Sequence, residues 1–213
     1  KYLVYYFHSS MFSAQKSKLA HGTKVIEIKP NDLSGLKIPV PPLEVQGEIV
    51  RILDNFTELT AELTAELTAR KKQYEYYRDQ LLNFGKIEVE SRLLSEIAEV
   101  YDGTHQTPTY TQEGIPFISV ENIGNIYSDS KFISGEAYSA YKVKPRIGDV
   151  FMTRIGSIGK CAIMTRQTDL AYYVSLALIR PNPDIIDSGY LKHYIESTAG
   201  SKELAKRTLH HAV

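Results

Sequence analysis

Between Ile49 and Phe84 the apolar and aromatic positions recur at steps of three and four: Ile49, Ile52, Phe56, Leu59, Leu63, Leu67, Tyr74, Tyr77, Leu81 and Phe84, with Arg70 filling the same stripe. That spacing places one face of an α-helix along a single line. No proline and only one glycine, Gly47, occur from Leu43 to Phe84, and Leu, Glu, Ala, Lys, Arg and Gln dominate. The pattern predicts one helix over 43–84, about 63 Å long at ~1.5 Å per residue. One extra four-residue step interrupts the heptad spacing, a stutter that locally unwinds a left-handed supercoil. It lies within Thr57–Ala69, a tandem Thr-Ala-Glu-Leu tetrapeptide. Each tetrapeptide adds about 6 Å of helix and turns its far end about 40° beyond a full turn, so the array sets length. A narrow stripe on so long a helix calls for a partner helix rather than for packing on its own domain.

The flanking segments have other periods. Residues 1–22 read as a helix ending near Gly22, and Lys24–Ile28 alternates like a strand. Pro30–Leu33 forms a turn into a short helix, and Leu36–Pro42 is extended because residues before proline avoid the α region. Gly85 ends the long helix and Lys86–Ser91 is a polar link. A second region opens at Arg92–Val100. It carries β-like stretches at Ile115–Val120, Val150–Thr153, Cys161–Met164 and Val174–Arg180, separated by turns at Asp102-Gly103, Glu113-Gly114, Ile147-Gly148-Asp149 and Pro181-Asn182-Pro183. The fold class is α+β: a mixed α/β domain attached to one long coiled-coil-forming helix. An internal repeat at an offset of 188 lays Lys1–Ser10 over Gly189–Thr198, matching Tyr, Leu, Tyr and Ser, with Lys18 over Lys206 and Val25 over Val213. Both copies read as amphipathic helices, which implies a cyclic plan in which the chain ends inside the unit with which it began.

Charge changes this picture locally. Lys+Arg and Asp+Glu number 25 each, so polyanion binding has to come from a patch. The long helix carries eight acidic and five basic residues, whereas Tyr141–Arg166 carries six basic residues (Lys142, Lys144, Arg146, Arg154, Lys160, Arg166) against Asp149. Neutrality hides an acidic rod and a basic domain. Cys161 is the only cysteine, which excludes an intrachain disulfide and a cysteine-cluster zinc site and fits a reducing compartment, so a cytoplasmic location is expected. No apolar run approaches the ~20 residues of a membrane span, and no membrane partner is expected. The chain opens on Lys1 rather than Met, which suits a piece of a longer protein.

Catalytic signals are absent. Gly156–Lys160 lacks P-loop spacing, the six histidines show no metal-ligand spacing with His210-His211 beside the chain end, and Asp184 lacks the acidic-x-Lys element of a metal-dependent nuclease. Two loops carry binding chemistry. In the basic tract, glycines let backbone amides approach phosphate, and Lys and Arg release counterions. In Asp102–Pro108, Gln pairs bidentately with adenine and Thr meets a thymine methyl, while arginine pairs with guanine. By composition alone each loop is equally a solvated polar surface. Three readings therefore stand: a DNA-binding chain, a coiled-coil structural or assembly protein whose domain binds protein without DNA readout, and a small phosphate-handling enzyme using Gly156–Lys160.

Ile38–Gln46 running into Glu48–Asp54, the tetrapeptide array, and Arg70–Leu82 together resemble the conserved region of type I restriction-modification specificity subunits. The second region is similar to a target recognition domain of that family through Asp102–Pro108, Gly114–Ile118, Val120–Ile123, Gly148–Val150 and Thr153–Gly159. The proline to Leu-Asp segment and the Tyr-rich helix end carry the match; the glycine loops alone do not.

The resemblance implies DNA sequence recognition without catalysis. It makes 1–42 the end of one recognition domain, 43–84 the spacer helix and 92–213 most of a second domain whose closing part is missing. The chain is then a fragment or half-length subunit that dimerises, or a circularly permuted form in which 1–42 closes its own domain. Each domain reads half of a split double-stranded DNA target, and the helix pair, built from Ile49, Ile52, Phe56, Leu59, Leu63, Leu67, Tyr74, Tyr77 and Leu81, fixes the spacer. Methyltransferase subunits flank the helices, motor-nuclease subunits join them, and a second specificity half completes the assembly as a homodimer. No cofactor is expected on this chain; S-adenosylmethionine, ATP and Mg belong to the partners. Carried over residue by residue, Thr104, His105 and Gln106 contact bases or a groove, Lys142, Arg154, Ser157 and Lys160 contact backbone or bases, and Tyr172 and Tyr173 assist.

Overall fold

The computed structural model describes residues 1–20, 27–85, 87–128 and 131–208. Gly22, most of the strand expected at Lys24–Ile28, Lys86, His210, His211 and Val213 lie outside the described residues. The chain forms two compact units, Lys1–Lys72 and Gln73–Val213, with α+β architecture.

In the first unit, the single helix expected over 1–22 is instead two, α1 (Tyr2–Phe7) and α2 (Ser10–Leu19). Ser9 adopts an extended backbone and its hydroxyl accepts from the Phe12 N–H at 3.2 Å, ending one helix and capping the next. Tyr6 and Phe12 are buried and meet edge to face at 5.8 Å. The short helix expected after a turn at Pro30–Leu33 instead includes those residues: α3 (Pro30–Ser34) starts on its proline, because a missing N–H costs nothing at that position. An extended segment then leads into α4 (Leu43–Leu81), 39 residues and about 58 Å long.

Helix α4 stops at Leu81 rather than Phe84. The Asn83 side chain accepts from the Gly85 N–H at 3.1 Å, and Gly85 has φ +54°, a local hydrogen bond and left-handed backbone that replace the next helical turn. Along the repeats, the hydroxyls of Thr57, Thr60, Thr64 and Thr68 donate to the carbonyls four residues back at 2.7–2.9 Å. Their polar atoms are satisfied by the helix itself. The apolar stripe faces outward: Phe56, Leu59, Leu63 and Leu67 are 62, 50, 58 and 56% exposed, and Ile52 is exposed beside half-buried Ile49. Helix α1 docks on α4 at Asp54, whose carboxylate accepts from the Tyr5 hydroxyl at 2.6 Å and pairs with the Lys1 ammonium at 3.0 Å. Those two donors, Tyr5 foremost, hold the Asp54 carboxyl below its usual range.

The second unit begins with the end of α4, where Tyr77 and Leu81 remain exposed and Tyr74 is partly turned to its own unit. After a one-turn helix, α5 (Leu94–Ile97), come β1 (Ala98–Asp102), β2 (Ile115–Ile118), β3 (Lys131–Ile133) and α6 (Gly135–Ser139). Strands β4 (Val150–Thr153), β5 (Cys161–Ile163), β6 (Ala171–Tyr172) and β7 (Leu176–Pro181) follow, and α7 (Ser188–Glu196) and α8 (Thr198–Arg207) close the described chain. One antiparallel sheet has the order β1-β7-β4-β5; a smaller one has β3-β2-β6, with β2 and β6 parallel.

Strand β7 is central and buried on both faces. Leu176 and Leu178 enter a core with Ile118, Phe151, Met164, Leu170 and Tyr172. On the opposite face Ile179 joins Val150, Cys161, Leu191 and Ile195, so α7 covers the back of the sheet. Period-two alternation sorts these side chains between two cores. Asp149 is buried at the head of β4 and forms a two-point ion pair with Arg180 of β7 at 2.7 and 2.9 Å. The Arg146 N–H adds a third donor at 2.8 Å, and Arg180 lies over the Tyr101 ring at 5.4 Å. This satisfied pair fixes the Gly148-Asp149 turn.

Helices α7 and α8 anchor to the end of α4. The Tyr74 hydroxyl hydrogen-bonds His193 Nδ1 at 2.8 Å, and the Asp79 carboxylate accepts from the Thr198 hydroxyl and N–H at 2.5 and 3.2 Å. Tyr74, expected only in a pairing seam, therefore has a partner within its own unit.

Candidate nucleic-acid interface

Sheet register explains how two loops distant in sequence meet. Asp102, the last residue of β1, stands opposite Ala177 on β7, and Ala177 stands opposite Met152 on β4. The loop after β1 and the loop joining β4 to β5 thus leave the same end of the sheet, one strand apart. Arg154 Nη1 donates to Asp102 Oδ1, and His105 Nε2 hydrogen-bonds Asp102 Oδ2 at 3.0 Å. One carboxylate joins Arg154 to His105.

Each loop is held from beneath. The Gly103 N-to-C path passes so close to the backbone of Tyr173 that an added Cβ would lie 2.4 Å from its carbonyl atoms, which only glycine allows. Thr104 then bridges to Tyr173, donating its N–H to the Tyr172 carbonyl at 3.2 Å and accepting from the Val174 N–H at 2.9 Å. The other loop is stapled by Thr153, which is fully buried. Its hydroxyl donates to the Ser157 carbonyl at 2.5 Å and accepts from the Lys160 N–H at 3.0 Å. Gly156 and Gly159 take the positive φ values, +71° and +87°, that the tight loop requires. The Arg154 N–H donates to the Ser175 carbonyl at 2.9 Å, so its side chain leaves a fixed backbone.

Not every expected residue reaches this surface. Thr104 is half-buried, with its hydroxyl against Gln106 at 3.3 Å and against the Tyr141 phenol, and His105 and Gln106 are exposed. Arg154, Ser157, Lys160 and Lys142 are exposed as well. Tyr172 is 1% exposed, packed at 5.4 Å against Phe151, and it cannot meet a ligand. Adjacent residues of a strand point to opposite faces, and Tyr172 is the one that points inward. Burial there pushes its phenol up to about 12. Tyr173 is half-buried and packs on Phe117 at 6.0 Å, so it supports the loop more than it presents a surface.

The basic tract is less concentrated in space than in sequence. Lys144 lies over the Tyr138 ring at 4.6 Å and Arg166 over Tyr127 at 4.1 Å. Lys142 and Lys160 are exposed and, among the described residues, pair with no carboxylate, so both charges are open to solvent. Cys161 is buried, and burial raises its thiol to about 12, so it is inert. Among the described residues, no cluster of three His, Cys, Asp or Glu is arranged to hold a metal, and no helix is long and apolar enough to cross a membrane. Asp102 opens the Asp102–Pro108 loop that the sequence singles out, but its pairing with Arg154 is not foreseen there. Its role depends on a partner 52 positions away, and no spacing rule signals that.

Residues 1–70 match the family model of the type I restriction modification DNA specificity domain. A type I restriction enzyme specificity subunit from Escherichia coli is 42% identical over 145 residues, 61% of this chain and 36% of that protein. A putative one from Haemophilus influenzae is 33% identical over 181 residues, 76% of this chain and 45% of its own length. The chain thus spans less than half the length of these curated relatives. A solved structure from work on complex assembly and conformational transition of the type I restriction-modification system shares the fold. It is 20% identical with TM-score 0.55, and the match covers 100% of this chain and 55% of that one. Both the seam-bearing helix and the loop-bearing β domain fall within these matches, and the chain belongs to the specificity-subunit family of type I restriction-modification systems.

Proposed function

We propose that this chain is a non-catalytic DNA-recognition subunit that reads one half of a bipartite double-stranded target. The convergence of Arg154 and His105 on Asp102 carries the proposal: two loops whose side chains suit base contact leave the same end of one sheet and meet there. Flanking Lys142 and Lys160 suit phosphate contact. Family membership sets the structural-protein and phosphate-enzyme alternatives aside.

The exposed stripe on α4 supports the second half of the reading. A second copy packs its own long helix against Phe56, Leu59, Leu63 and Leu67, and the tetrapeptide array sets the distance between half-sites. Methyltransferase subunits dock on the helices and carry S-adenosylmethionine; motor-nuclease subunits add ATP and Mg chemistry. A cytoplasmic setting suits such a target. The test is binding of the chain, assembled with its modification subunits, to duplex DNA across a salt series. Affinity that falls steeply with salt, with a preference for split sites, supports the reading; affinity that stays flat contradicts it.

A further inference from the structure

We propose that Arg154 reads a guanine edge in the major groove and that Asp102 is the positioning residue that directs it to a base rather than to a phosphate. The proposal rests on the DNA-recognition reading and names which contact this pair makes. Geometry supplies the first argument. Asp102 is fixed by its pairing with Ala177 and by the Gly103 backbone pressed on Tyr173, and Arg154 is fixed by its N–H bond to Ser175 at 2.9 Å. Both side chains are about half exposed, at 44% for Asp102 and 40% for Arg154, and the bond to Asp102 uses Nη1, which leaves Nε and Nη2 for a ligand. Nε and Nη2 then present the parallel donors that match the N7 and O6 acceptors of guanine. A side chain already held in one orientation loses little freedom on binding, which favours discrimination between bases.

Charge supplies the second argument. A phosphate seated on Arg154 would stand beside the Asp102 carboxylate, a like charge in direct contact with the same guanidinium. The neutral acceptor pair of a guanine edge meets no such repulsion, so the carboxylate selects against backbone contact. Lys160, in the same loop as Arg154, is exposed and has no carboxylate partner among the described residues, so it meets no such repulsion and suits phosphate contact. His105, on the other Asp102 oxygen at 3.0 Å, braces the carboxylate against rotation.

The experiment measures binding of the chain, assembled with its modification subunits, to duplexes in which each half-site position is varied, at several salt concentrations. The variants are Arg154→Ala, Arg154→Lys, Asp102→Asn and Lys160→Ala. For both Arg154 variants the proposal expects discrimination at a single G·C pair to fall about 5- to 150-fold, with other positions and the salt slope nearly unchanged. Asp102→Asn is expected to lose discrimination at that same pair while tightening non-specific binding. Lys160→Ala is expected to weaken all sequences alike and to lower the salt slope by about one. If Arg154→Ala behaves like Lys160→Ala, or if Arg154→Lys restores binding in full, Arg154 is a phosphate contact and the proposal is overturned. A wild-type complex that prefers no sequence overturns the DNA-recognition reading together with it, whereas sequence preference untouched by Arg154 and Asp102 overturns this assignment alone.

Discussion

Ser9 and Ser197 occupy the same place in two helix pairs. Each accepts through its hydroxyl from the backbone N–H three residues on, Phe12 at 3.2 Å and Gly200 at 3.1 Å, and each divides a pair whose second helix spans Ser10–Leu19 in one copy and Thr198–Arg207 in the other. The 188-residue offset of the sequence is therefore a repeat of local structure, helix, serine cap, helix. Ser9→Ala and Ser197→Ala should each cost about 0.5–2 kcal/mol, with Ser197, buried and also donating to the Tyr194 carbonyl at 2.6 Å, toward the upper end. Amide exchange at Phe12 and Gly200 measures both effects, and equal protection in wild type and variant would show that the caps contribute nothing.

The Asp149–Arg180 pair predicts an asymmetry. Arg180→Ala leaves a buried carboxylate without its main partner and should lower stability by about 3–5 kcal/mol in urea unfolding. Replacing both residues with apolar ones of similar volume should cost less than that single change. A double variant that is worse than Arg180→Ala would mean that the pair contributes more than its own desolvation.

Acid should loosen the attachment of α8. The Thr198 hydroxyl above all, then Arg78, holds the Asp79 carboxyl below its ordinary range. A carboxyl depressed in the folded state contributes fully above its unfolded value and loses that contribution as pH falls through the folded one, so the loss lies below about pH 4. Amide exchange in α8 should rise in that window, and Asp79→Asn should abolish the pH dependence there.

Long-range features were legible in sequence where one residue type repeats with a helical period. Helix α4 is such a case, since its stripe from Ile49 to Leu81 and its lack of proline leave no alternative. Strands β3 and β6 were not legible, with three and two residues respectively, because they exist through pairing with β2. The break at Ser9 was masked by aromatic residues that continue the helical period across it. At the site, the glycines and Arg154 were readable as loop chemistry. The Tyr172-Tyr173 pair was not divisible without the sheet, and the role of Asp102 required β1, β7 and β4 to be neighbours.

The tetrapeptide array predicts a change in spacing without a change in sequence preference. Deleting Thr64–Leu67 removes about 6 Å of helix and turns the far end back by about 40° while the stripe stays continuous, and should shorten the preferred spacer while both half-sites stay the same. A site-selection experiment with the assembled complex reads both properties. Altered half-sites would show that the helix takes part in base reading.

Helix pairing through the stripe predicts that Leu59→Asp with Leu63→Asp abolishes self-association. Both residues are exposed in the single chain, at 50 and 58%, so the isolated fold should survive. Sedimentation then reports a dimer for wild type and a monomer for the variant, and a dimer in both would place the contact elsewhere.

Methylation-sensitive sequencing of DNA from cells that express this chain with modification subunits reads the recognition of half-sites in one step. Two identical chains, each reading one half-site, should give a split, palindromic motif with methylated adenine in each half. A contiguous motif, or no new methylation with the modification subunits active, would contradict that reading.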